Sequence, residues 1–97
     1  MKKFALEKVF MGRPGVGPGS SRPSPRERIQ AAQNHARAKH PAPWRSTLHA
    51  LAVLLEEVGE VAWALVRRDR ENLREELAQV AAVCWRWLER MDKEDAR

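Results

Sequence analysis

The 97-residue chain holds a single cysteine, Cys84, and only one glycine beyond Gly19. One thiol excludes an internal disulfide and fits a reducing compartment. No apolar run approaches the roughly 18 residues needed to cross a bilayer, so no membrane partner is expected. Residues 4–10 are interrupted by Glu7 and Lys8 and make a poor signal peptide. A cytoplasmic protein is the expectation. His35, His40 and His49 have no metal-site spacing and no cysteine to join them, which argues against a zinc site and for capping or other polar roles.

Charge of one sign is scarce only in part of the chain. Residues 1–47 carry ten Lys or Arg against two Glu, whereas residues 48–90 carry six Arg against seven Glu and Asp69. The net charge of +5 therefore resides in the N-terminal half, and the remainder is slightly acidic. A basic half of this kind is the electrostatic footprint of a nucleic-acid binder, although its charges are dispersed and lack interleaved aromatics.

Residues 12–25 contain four Pro and four Gly and cannot continue a helix, so residues 1–24 read as a flexible arm and linker. Ser24 and Pro25 form a helix start, with Glu27 in the first turn, and His40-Pro41-Ala42-Pro43 a stop. A helix over about 25–39 follows, whose only large apolar residue is Ile29, suited to covering a core rather than forming one. A second helix should begin near Ser46 or Thr47 and run to about Arg68. Leu48, Leu51, Leu55, Val58, Ala62 and Leu65 recur along it at spacings of three and four. The short link Asp69-Arg70-Glu71-Asn72 implies an antiparallel hairpin with a last helix from about Glu71 to Met91. The expected fold is all-α: a helical hairpin plus an N-terminal helix. Its domain spans residues 25–92 and its tail 93–97. So small a core suggests assembly into a helical bundle, as a homodimer or homotetramer.

Placed around a helix axis at about 100° per residue, with Glu57 at 0°, the leucine-rich arc spans about 40° to 180° and Glu60 falls near −60°. Glu57 and Glu60 then share one face at the rim of the expected buried stripe. On the last helix Glu76 lies in the middle of an arc made by Leu73, Val80, Val83 and Trp87, where an unpaired carboxylate is costly. In an antiparallel hairpin these faces meet and bring at least three carboxylates around one point. Clustered carboxylates repel one another unless a cation neutralises them, and Mg²⁺ suits hard oxygen ligands while keeping positions for water and phosphate. The plain alternative is that Glu56, Glu71 and Glu75 pair with neighbouring arginines on solvated faces.

The stretch LLEEVGEVAWAL followed by ENLREELAQVAAVCWRWLER resembles the MazG-like family of all-α nucleoside triphosphate pyrophosphohydrolases, whose signature is EExxE followed at a variable distance by ExxD. Glu56, Glu57 and Glu60 match the first part, and Glu76 the second after fifteen intervening residues. RERIQAAQNHARAKHPAPW is similar to the glutamine-containing helix that precedes the motif in short, phage-type members. The resemblance covers roughly residues 26–90. One position departs from it: Gln79 stands where the family has Asp, and its amide oxygen would be a weaker donor.

The resemblance implies Mg²⁺-dependent hydrolysis of a nucleoside triphosphate to monophosphate and pyrophosphate, with Mn²⁺ as a substitute ion. Glu57, Glu60, Glu76 and Gln79 would hold the metal, and Glu56 and Glu57 would act in catalysis. Arg45 and Arg86 are candidates for phosphate contact, since a triphosphate needs cations beyond the metal. Pairing with Glu75 or Glu89 is the alternative for Arg86. Trp44, beside Arg45, is a candidate base-stacking residue. Trp87 should pack in the core, Trp63 and Trp85 against another subunit, and Cys84 as a buried thiol. The competing function is a non-catalytic helical module that binds nucleic acid or a protein through its basic half.

Overall fold

The computed structural model describes residues 22–96, which form three helices and no strand. The expected flexible arm, residues 1–24, lies outside these residues except for its last three. Helix α1 spans Pro25–Lys39. Its start is a full capping box: the Ser24 hydroxyl accepts from the Glu27 N–H at 3.1 Å, and the Glu27 carboxylate accepts from the Ser24 N–H at 2.9 Å. Helix α2 spans Thr47–Val66 and is capped by Ser46, whose hydroxyl accepts from the His49 N–H at 3.1 Å. Helix α3 spans Arg70–Asp95, with the Asp69 carboxylate accepting from the Asn72 N–H at 3.0 Å.

Between α2 and α3 the backbone turns through Arg68, which has a positive φ of 55°. This left-handed residue ends α2 as a glycine often does, at a steric cost that Arg68 bears through its Cβ. The hairpin thus closes within three residues, as the sequence suggests. Helix α3 continues past the expected end near Met91, and the Arg90–Glu94 ion pair at 3.2 Å joins its last two turns. Most of the expected 93–97 tail is therefore helical. No described helix is long and apolar enough to cross a membrane.

Helix α3 is the central element, packing against both α1 and α2. Extents of 47 × 33 × 18 Å describe a flat layer little thicker than one helix with its side chains. Alanines allow such close packing. Ala31 and Ala32 of α1 meet Ala78 and Ala82 of α3, with Ile29 half-buried against them, so α1 covers as expected.

The α2 stripe corrects the sequence expectation. Leu48, Leu51, Leu55, Val58 and Leu65 are exposed, while Ala50, Glu60 and Ala64 are buried and Val53 and Glu57 half-buried. The helix is rotated by roughly a third of a turn from the orientation its leucines imply. Periodicity marks an apolar face without saying whether it meets the same chain or another. Cys84, expected in the core, is exposed beside the exposed Leu88 and Trp85 of α3. Trp87 is half-buried, whereas Trp63 and Trp85 stand in solvent on this protomer.

Candidate active site

The rotation of α2 places Glu57 and Glu60 at the centre of its inward face rather than at its rim. They line one cavity of about 830 Å³ together with Glu56, Glu76 and Gln79. Every candidate from both helices thus reaches a single space in one chain. Glu60 and Glu76 are each only 4% exposed, Glu57 and Gln79 are half-buried, and Glu56 is exposed.

These environments shape the electrostatics. Burial, then the charges of Glu56 and Glu60, push the Glu57 carboxyl above its ordinary value. One Glu60 oxygen, Oε1, is buried without a hydrogen-bond partner. The carboxylates do not converge as the hairpin argument anticipated. Among the described residues no three His, Cys, Asp or Glu side chains stand close enough to hold a metal ion. Like charges favour separation, so the glutamates form a wall and not a finished coordination sphere. The donor set still fits a hard divalent cation: it is all oxygen, mostly carboxylate, on two rigid helices, and it includes a buried acceptor lacking a donor.

The rest of the cavity wall comes from the C-terminal end of α1 and the segment that follows it. His35, Lys39, His40, Trp44, Arg45 and His49 all border the space. Lys39 and the three histidines were not expected there. Helix periodicity carries no sign of them, because they come from three places in the chain, the end of α1, the segment after it and the first turn of α2, that only the tertiary packing brings together. Burial, then the neighbouring Lys39 and His40, lower the His35 imidazole below its ordinary 6.5 and favour its neutral form at neutral pH. His49 does serve at a cap, and its Nδ1 also accepts from the Arg45 N–H at 3.4 Å.

Arg86 borders the cavity from α3, but it pairs with neither Glu75 nor Glu89. Its Nη2 donates to the carbonyl oxygens of His40 and Ala42 at 3.1 and 2.8 Å, and its guanidinium lies over the Trp44 ring, 4.9 Å from the centroid. Glu89 is bonded by Arg37 at 2.6 Å instead. The plain alternative holds for Glu71, which pairs with Arg22, Arg28 and Arg74 well away from the acidic wall.

Residues 45–87 match the family model of the MazG nucleotide pyrophosphohydrolase domain. Over this segment the chain is similar to that domain family. The match begins at Arg45, takes in all of α2 and α3 as far as Trp87, and includes every acidic candidate and Gln79. It stops short of α1, so the helix that covers the cavity lies outside the MazG-like segment. Neither the comparison with characterised proteins nor that with solved structures gives a match.

Proposed function

We propose that the protein is a divalent-metal-dependent nucleotide pyrophosphohydrolase that converts a ribo- or deoxyribonucleoside triphosphate, or a related nucleotide, to the monophosphate and pyrophosphate. The observation that carries this reading is the meeting of both halves of the acidic motif in one cavity, with a buried, unpartnered Glu60 oxygen on its wall. Burying such a carboxylate is costly unless something positive completes it.

Glu57, Glu60 and Glu76 would hold Mg²⁺ or Mn²⁺, with the Gln79 amide oxygen a weaker fourth donor. Bound there, the ion would screen the phosphates and acidify water for attack on the α-phosphorus. Glu56, exposed at the edge of the wall, would orient that water and accept its proton. Glu57, raised by burial and its neighbours, gains most from cation binding, which favours its ionised form. Lys39 and Arg45 border the same cavity as the glutamates and would contact the triphosphate. Trp44 would stack on the base. The exposed leucine face of α2 supports a homodimer or homotetramer.

Pyrophosphate release from a panel of dNTPs and NTPs should require Mg²⁺ or Mn²⁺. In Glu57→Gln it should fall at least about 100-fold, the scale of a lost acid–base or metal-ligating group. A rate unchanged by that substitution overturns the assignment. A competing module that binds nucleic acid through residues 1–47 would instead show salt-dependent affinity for an oligonucleotide and no turnover.

A further inference from the structure

We propose that Arg86 is a positioning residue: it latches the segment 40–45 onto α3 as a wall of the nucleotide cavity, a role that occupies its Nη2 and the face of its guanidinium. The reason begins with two prolines. Pro41 and Pro43 have no N–H, so the segment His40-Pro41-Ala42-Pro43 has half the usual number of main-chain donors and cannot tie itself down by a regular turn ladder. Its carbonyls need a donor from elsewhere. Arg86, 46 and 44 residues away in sequence, supplies it, with both N–H groups of Nη2 engaged by the His40 and Ala42 oxygens. The same guanidinium covers the Trp44 ring at cation–π distance.

Three features of one segment are thus held by a single side chain, two carbonyls by one nitrogen and the Trp44 ring by the guanidinium plane, which a lysine ammonium does not reproduce. The far end of the segment is fixed separately, where the Arg45 N–H meets His49 Nδ1. Trp44 is thus held at the first anchor and Arg45 at the second, and both border the cavity that the glutamates line. Arg86 therefore acts on the nucleotide through Trp44 and Arg45. The kinetic consequence rests on the proposed hydrolase reading, whereas the structural one does not.

The test uses the full chain labelled with 5-fluorotryptophan, its Trp44 resonance assigned with Trp44→Phe, together with amide exchange at Arg45. In Arg86→Ala the Trp44 resonance of the nucleotide-free protein should shift, and Arg45 exchange should accelerate at least about tenfold, as expected when a local opening becomes easier. Arg86→Lys keeps the charge but not the guanidinium plane over Trp44; it should give the same two changes, and it carries the test if the alanine variant loses its helical signal. With dNTP as substrate both variants should raise KM about tenfold and leave kcat within about threefold, since the carboxylates are untouched. Combining Arg86→Ala with Trp44→Ala should cost no more than the worse single change. An unshifted Trp44 resonance with unchanged Arg45 exchange overturns the latch. So does a lysine variant with wild-type KM, which marks a phosphate contact by charge. If the wild-type protein shows no turnover, the hydrolase reading fails while the resonance and exchange still decide the latch.

Discussion

Glu60 carries a carboxylate where only 4% of its surface meets solvent, and its Oε1 has no hydrogen-bond partner. A buried acceptor left in that state lowers the stability of the fold, and replacing it with an apolar side chain of similar volume is typically neutral or stabilising by about 1–4 kcal/mol. Glu60→Met should therefore raise the melting temperature of the metal-free protein by several degrees, given about 4–8 °C per kcal/mol for a domain of this size. It should also abolish the melting shift that Mg²⁺ produces in the parent. Differential scanning fluorimetry with and without Mg²⁺ reads both, and a less stable variant that kept its Mg²⁺ shift would show Glu60 to be structural. The identity of these residues was legible in the sequence, because EExxE and the following Glu76 are local patterns. Their disposition was not. Glu60 was placed at a rim by the leucine arc, and only the packing of Ala50 and Ala64 against the neighbouring helices shows it to be central. Gln79 stands in the same cavity with a neutral oxygen, which leaves the three glutamates to supply the negative charge.

Helix α1 is tied to the start of α3 by Glu71, whose carboxylate accepts from Arg28 at 2.8 Å, Arg22 at 2.7 Å and Arg74 at 3.4 Å. Arg28 is itself buried, and Glu71 compensates its charge. Burial alone would push the Glu71 carboxyl up, but the hydrogen bond and charge of Arg28, reinforced by Arg22, outweigh it and hold the group below its ordinary 4.5. A depressed folded value means that the unfolded chain binds more protons. The stabilisation is complete above about pH 4.5 and is lost as pH falls through the lower folded value. Glu71→Gln should be less stable than the parent at neutral pH, and the two melting temperatures should converge as pH is lowered below 4.5 through the depressed folded value. Parallel curves across that range would show that the cluster contributes nothing. At this scale the sequence reads well: the helix starts follow Ser24, Ser46 and Asp69, whose side chains satisfy the first free N–H groups. What it does not disclose are the long-range ties, Arg28 to Glu71 and Arg86 to the carbonyls of residues 40 and 42, because pairs more than 40 residues apart leave no local pattern.

The apolar side chains buried in the layer are all alanines, while Leu48, Leu55, Leu65 and Val66 of α2 and Leu88 of α3 are each more than half exposed. A lone chain would thus leave several large apolar side chains in water that its alanine core does not cover, an arrangement typical of an association face. The proposed homodimer or homotetramer would cover this face with a second copy. Identical leucine stripes on α2 can interdigitate about a two-fold axis, where each residue meets a surface of its own kind. Burial of those side chains would supply the core that 18 Å of thickness cannot. Light scattering on the eluted protein should accordingly give a mass of two or four times 11.1 kDa. Its melting temperature should rise with concentration, as it does when folding is linked to assembly. Leu55→Glu, which sets a charge in the stripe on the side away from the glutamate wall, should reduce the mass to that of one chain and lower the melting temperature. A parent that elutes as a single chain at all concentrations, with a melting temperature independent of concentration, would require the leucine face to be covered in some other way.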